Sequence, residues 1–197
     1  MTGESVWPGF WVLMALFVLG QVFYVGAVNP EVLVHRMGLK KGTETWDWFW
    51  FAVFVPVFVS ILVVAGNDIR SNGDLLPQWV RPIGLVLFLL GGGLFLRAMA
   101  ENPFFEKTVR IQTDRDHHVI ESGPYRIVRH PGYVGMIPWV LSMPLLLTSS
   151  RALLPAGLTV VCILVRTAVE DRTLHKKLPG YTDYAARVRS RLLPGVW

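Results

Sequence analysis

The chain holds a single cysteine, Cys162, in 197 residues. It lies inside an apolar run, so no disulfide can form within the chain and no cysteine metal site can be built, which leaves a packing role. The sequence also lacks a GxGxxG fingerprint, a P-loop, an HExxH pair and a serine-centred nucleophile elbow. Its histidines, His35, His117, His118, His130 and His175, are too few and too scattered for a di-iron membrane oxygenase. The opening MTGESVWPGF lacks a basic n-region and a small-residue cleavage site, so the first apolar segment is expected to be a retained helix and not a signal peptide. Charge is scarce as well. Only 17% of residues are charged, whereas 52% are hydrophobic and the mean hydropathy is +0.43. The net charge of +5 does not point to nucleic acid, because Lys and Arg flank apolar segments instead of lining one polar domain. Phospholipid headgroups are the fitting partner for such charges.

What the chain has is long apolar segments. The first runs from about Phe10 to Val28 and ends at Asn29-Pro30, before a polar link with His35, Arg36, Lys40 and Lys41. The second runs from about Trp48 to Gly66, with Pro56 inside, tolerable where neighbours satisfy the freed carbonyl. The third, from about Ile83 to Ala100, carries Gly91, Gly92 and Gly93, which thin one face and let another helix approach. A polar stretch, 101–132, follows. The fourth, Tyr133 to about Thr148, and the fifth, about Ala152 to Val165, are shorter than a full span. They read as two spans extended by their flanks or as a hairpin dipping into the bilayer.

Basic residues orient these segments. With five segments and the N-terminus outside, sixteen Lys and Arg fall inside and only Arg70, Arg81 and Arg151 fall outside. The positive-inside rule favours that orientation, but a dipping hairpin would return to the same side and leave the count unchanged. In either version the 101–132 stretch and the tail from Arg166 to Trp197 share the cytoplasmic face. Trp46, Trp48 and Trp50 fit an interfacial belt. The expected fold is an all-α integral membrane protein of about five transmembrane helices, the last two a helical hairpin. It reads as one membrane domain, 1–197: three helices in 1–100, then a loop, hairpin and tail in 101–197.

Three constellations could carry chemistry. In GPYRIVRHPGYVG, 123–135, Gly123-Pro124 signals a turn, Pro131 pushes His130 toward an extended backbone, and Tyr133 opens the fourth helix. His130 and Tyr133 therefore sit at a helix start, where free N–H groups suit a carboxylate or phosphate. Plain interfacial anchoring explains the same residues. In LVRTAVEDRTL, 164–174, Arg166 and Glu170 share a helix face, while Asp171 points about 100° away. Ionisable residues at membrane depth suggest function, against the alternative of a simple salt bridge. In the tail, Tyr181, Tyr184 and Ala185 lie at helical spacing with basic residues after them; they suit a membrane-surface helix or stacking on a purine.

Taken together, RIQ at 110–112, HHVIESGPY at 117–125, RHPGYVG at 129–135, RTAVED at 166–171 and Tyr181/Tyr184 before RLLP at 191–194 resemble the isoprenylcysteine carboxyl methyltransferase family and its prokaryotic relatives. The resemblance covers about half of the chain, from near Arg97 to the C-terminus. It implies S-adenosylmethionine as cofactor, in a cytoplasm-facing pocket built from the loop before the fourth helix and from the tail. By position, Gln112, His117, His118, Val119, Ile120, Tyr125, His130, Pro131, Gly132, Tyr133 and Glu170 would contact the cofactor. Arg166 would face the substrate, and Arg166 and Glu170 together would be the catalytic pair. The family usually has two glutamates where this chain has Glu170-Asp171. The resemblance also implies a lipophilic methyl acceptor, such as a prenylcysteine-like carboxylate, membrane lipids as surroundings, no metal, no nucleic acid, and a prokaryotic plasma membrane as location. Three other readings stand beside it: a phospholipid amine N-methyltransferase, an NADPH-dependent sterol or enone reductase whose Arg187, Arg189 and Arg191 grip a 2′-phosphate, and a non-catalytic membrane protein. Neither the acceptor nor the oligomeric state follows from the sequence.

Overall fold

The computed structural model describes residues 8–27, 42–71 and 75–197. The polar link carrying His35, Arg36, Lys40 and Lys41, and the Asn29-Pro30 stop, lie outside the described residues. Among the described residues six helices follow in order: α1 (Pro8–Ala27), α2 (Thr45–Arg70), α3 (Val80–Glu101), α4 (Pro131–Leu146), α5 (Leu153–Lys177) and α6 (Tyr181–Arg187). Two single 3-10 turns, Thr113–Arg115 and Gly123–Arg126, punctuate the polar stretch. Among the described residues the only extended pairing is an isolated bridge between Leu75 and Ser149. The all-helical expectation holds.

Among these residues α2, α3 and α5 are long and apolar enough to cross a membrane, whereas Leu13–Val22 within α1 and the whole of α4 are shorter apolar pieces. The helices overrun the apolar segments that announce them. α2 begins three residues before Trp48 and ends at Arg70, with Asp47 in its first turn, where the helix dipole favours a negative charge. α5 continues through RTAVEDRTLHKK to Lys177 and so reaches 25 residues. Hydropathy marks where lipid contact stops; the backbone hydrogen-bond ladder continues past it. Arg166 and Glu170 therefore lie inside a continuous helix.

α3 and α4 pack at close range through glycine. A Cβ added at Gly91 would meet the Gly135 carbonyl at 2.6 Å, and one at Gly135 would meet the Gly91 carbonyl at 2.5 Å. Gly84 faces the backbone of Leu146 in the same way. Small residues permit such approach, and van der Waals contact then holds the pair. The core between α2, α3, α4 and α5 is apolar, with Ile61, Ala65, Phe88, Val140, Ala156 and Ile163 buried together.

Polar contacts tie each end of the bundle. At one end the α2–α3 connection meets the α4–α5 turn: Leu76 N donates to Thr148 O at 2.7 Å, and buried Asp68 accepts from Ser149 Oγ at 2.5 Å and pairs with Arg151 at 3.3 Å. At the other end Glu44 N donates to Val109 O, and Lys177 Nζ reaches Glu44 at 2.6 Å. The start of α2, the loop after α3 and the end of α5 are thereby held together. Trp50 departs from the belt expected of it. Its Nε1 donates to Cys162 O at 2.8 Å and its ring stacks on Phe54, because the indole faces α5 rather than lipid headgroups.

Candidate active site

Pro131 caps nothing itself but forces the chain out of helix just before α4. His130 stands at φ −125°, ψ 61°, and Pro131 is the first residue of the helix. The backbone at this junction is held by the tail, since Arg129 N donates to Ser190 O and His130 N to Arg191 O, both at 3.0 Å. The tail is held in turn by Tyr184, whose hydroxyl donates to Tyr125 O at 2.8 Å. GPYRIVRHPGYVG and the C-terminal segment thus form one unit, as expected from their common face.

Asp171 is the hub of that unit. Its carboxylate is buried and accepts from Arg129 Nε at 2.8 Å, Arg129 Nη2 at 3.1 Å, Arg191 Nε at 2.8 Å and the Tyr181 hydroxyl at 2.9 Å. His130 Nε2 lies 3.1 Å from the same carboxylate. Arg129 also donates through Nη1 to Val188 O and Arg189 O. Burial opposes the Arg129 charge, but the bonds to Asp171 outweigh it and hold the guanidinium above its ordinary range. Burial, followed by the nearby Asp171 charge, pushes the Tyr181 hydroxyl up, so it stays protonated and donates.

One helical step away on α5, Arg166 and Glu170 form the second cluster. Arg166 Nη2 lies 3.0 Å from Asp47 Oδ1 and donates to Lys107 O at 2.7 Å. The guanidinium carbon stands 4.1 Å from the Trp50 ring centroid, a cation–π contact. Arg166 Nε is 3.8 Å from Glu170 Oε2, too long for a hydrogen bond, and makes none elsewhere. Glu170 Oε2 accepts from the Tyr133 hydroxyl at 2.6 Å, and Glu170 Oε1 lies 4.0 Å from His130 Nδ1. His130 therefore stands between the two adjacent carboxylates.

These groups open into a cavity of about 770 Å³. One end is lined by His117, His118, Val119, Ile120, Tyr125, His130, Gly132, Tyr133, Arg166 and Glu170, with Tyr181 and Tyr184 from the tail. The other end is apolar, walled by Leu16 and Phe17 of α1, Phe51 and Phe54 of α2, and Phe88 and Phe95 of α3. Gly132 faces the ring of Phe105, which a Cβ would meet at 2.7 Å. His117 is pushed down to about 4 by burial and, next, by His118, so it is neutral at neutral pH.

Two residues expected at the cofactor do not line the cavity. Gln112 is buried within the loop, where Nε2 donates to Phe104 O at 2.7 Å and Oε1 accepts from Arg115 at 2.9 Å; its amide is spent on shaping the loop. Pro131 is buried at the start of α4 and orients His130. Three residues of the site were not singled out in sequence. Asp171 points away from the Arg166 face, and that is the direction of the tail. Arg129 stood unremarked beside His130. Asp47 carried the clearest signal, a lone carboxylate amid aromatic residues at the start of an apolar helix.

Membrane-length helices enclosing a cavity with one polar and one apolar end define an integral membrane protein. Residues 84–176 match the sequence model of the isoprenylcysteine carboxyl methyltransferase (ICMT) family, a stretch from α3 to near the end of α5. The match covers 93 of the 197 residues and supports a methyltransferase of the isoprenylcysteine carboxyl type. It is 25% identical over 185 residues to Protein-S-isoprenylcysteine O-methyltransferase B of Arabidopsis thaliana, covering 92% of this chain and 93% of that one. It is 26% identical over 123 residues to a probable protein-S-isoprenylcysteine O-methyltransferase of Oryza sativa subsp. indica, covering 60% of this chain and 64% of that one.

Proposed function

We propose that the protein transfers a methyl group from S-adenosylmethionine to the carboxylate of a lipophilic acceptor at the cytoplasmic membrane face, a prenylated cysteine being the fitting chemical class. The observation that carries this reading is the two-ended cavity, in which Arg166 and Glu170 stand where its polar and apolar walls meet. The polar end suits the cofactor: Glu170 offers a carboxylate to a cationic ligand, and the Tyr181 and Tyr184 rings beside Val119 and Leu178 offer apolar surface to a purine. His117, His118, Val119, Ile120, Tyr125, His130, Tyr133 and Glu170 are the residues assigned to hold it. When bound, S-adenosylmethionine supplies an electrophilic methyl group on a positively charged sulfur.

The rest is work for this chain's side chains. Arg166 binds the acceptor carboxylate and fixes its oxygen toward the polar end; holding two reactants in line supplies much of a barrier reduction. Tyr133 fixes Glu170 by its hydrogen bond. The apolar wall from α1, α2 and α3 takes the acceptor's tail and keeps water from the reacting atoms. The contact between the α2–α3 connection and the α4–α5 turn supports two full crossings by α4 and α5 rather than a dip. α4 is about 24 Å long at 16 residues, so its flanks complete the span.

Of the three tail arginines the NADPH reading would use, Arg187 is paired with Glu121 and Arg191 with Asp171. The test is calorimetry on detergent-purified protein with S-adenosylhomocysteine and NADPH side by side. Binding of the first alone is expected, followed by methyl incorporation into N-acetyl-S-farnesylcysteine. Binding of NADPH alone would overturn the proposal, and incorporation only into a phospholipid amine would reassign the acceptor.

A further inference from the structure

The geometry points to Asp47 as the positioning residue that aims Arg166 at the acceptor, which gives α2 a part in the reaction beyond walling the cavity. This rests on the assignment of Arg166 to the acceptor carboxylate. Asp47 lies outside residues 84–176, the stretch that matches the family model.

Arg166 is buried and gripped on one edge. Nη2 donates to Asp47 Oδ2 at 3.3 Å and to Lys107 O, with Asp47 Oδ1 in ion-pair contact at 3.0 Å, while Trp50 covers one face of the guanidinium. Nε, which shares this edge of the guanidinium with Nη2, is buried and makes no hydrogen bond. A buried guanidinium donor without a partner is costly unless a ligand fills it, and an anionic carboxylate is the matching acceptor. By anchoring Nη2, Asp47 fixes the plane of the guanidinium and with it the direction of the unfilled Nε–H. Without it, Nη2 is free to swing with Nε onto Glu170, 3.8 Å from Nε, and close the acceptor site from within. Asp47 is itself fixed: Oδ2 accepts from Val109 N at 2.8 Å, and its side chain is fully buried.

The hydrogen bond to Val109 also makes Asp47 a support for the loop that leads to His117, so the test must separate aiming from support. Asp47→Ala, Asp47→Asn and Lys177→Ala are compared by acceptor KM and kcat with N-acetyl-S-farnesylcysteine, and by the S-adenosylhomocysteine Kd on the same preparations. Asp47→Ala is expected to raise acceptor KM about tenfold or more, with the S-adenosylhomocysteine Kd within about twofold of wild type. Asp47→Asn keeps an oxygen for Val109 and is expected to recover part of the KM loss; if Asp47→Ala does not fold, Asn carries the test with a rise of about threefold or more. Lys177→Ala, which breaks an exposed bridge at the same end of α2, is expected to match wild type in both readouts. An unchanged acceptor KM in the Asp47 variants, or losses of acceptor and S-adenosylhomocysteine binding that rise together, would overturn the inference. Arg166→Ala separates the two levels: if it leaves acceptor KM unchanged, the assignment of Arg166 itself falls.

Discussion

At the scale of single residues, adjacent carboxylates on α5 have divided their labour. Glu170 faces the cavity and Asp171 faces the tail. Asp171 pairs with two guanidinium groups at once, so its removal would leave Arg129 buried without its counter-ion, beside a partly exposed Arg191. Breaking a buried ion pair by deleting one partner costs roughly 3–5 kcal/mol. Asp171→Ala is therefore expected to lower the midpoint of thermal unfolding in detergent steeply and to weaken S-adenosylhomocysteine binding through the displaced tail, with Asp171→Asn less severe. Glu121→Gln, at the exposed bridge to Arg187, should leave the midpoint unchanged. Equal midpoints for Asp171→Ala and wild type would remove Asp171 from the role of hub. The sequence showed the Arg166–Glu170 step because both residues lie on one helix and spacing alone relates them. It could not show Asp171 meeting Arg129, because that contact joins residues 42 apart through a tail whose path is set by tertiary packing.

At the scale of elements, periodicity and glycine content revealed where helices lie and which of them approach closely, but not where they end. Gly91 proves to be the contact residue of its triplet, packing within the chain against Gly135, while Gly93 has nothing within 4 Å of an added Cβ. The triplet looked uniform in sequence because the rotation of α3 about its axis is decided by α4. Gly135→Ala would press a methyl group into the α3 backbone, near the Gly91 carbonyl and Phe95 N. Such overpacking costs roughly 1–3 kcal/mol. Gly93→Ala has room and exchanges a poor helix former for a good one, worth up to about 1 kcal/mol in the opposite direction. Thermal unfolding of the two variants in one detergent should move in opposite senses. A fall for Gly93→Ala as large as that for Gly135→Ala would mean that α3 is rotated from the orientation described.

At the scale of the whole molecule, the positive-inside count and the contacts between connections argue for one topology by independent routes. The count favours a cytoplasmic side for the loop after α3 and the tail, but it is blind to how far α4 and α5 reach. The contacts supply the missing part, since Leu76 N can reach Thr148 O only if the α4–α5 turn lies level with the α2–α3 connection. The two arguments together predict that Gln78 and Asp183, both exposed, lie on opposite faces of the membrane. Cys162 is the only native cysteine, so a Cys162→Ser background allows each position to be tested alone. In intact cells an impermeant maleimide is expected to label Gln78→Cys, while Asp183→Cys reacts only after the membrane is opened. Labelling of Asp183→Cys from outside would invert the orientation and place the proposed cofactor site away from cytosolic S-adenosylmethionine. The methyl-transfer reading could then survive only with a donor supplied on the other face. A short label placed in the α4–α5 turn by Arg151→Cys completes the argument. Reactivity from the same side as Gln78→Cys is expected of two full crossings, and reactivity from the side of Asp183→Cys would turn α4 and α5 into a dipping hairpin, with the link to the α2–α3 connection broken.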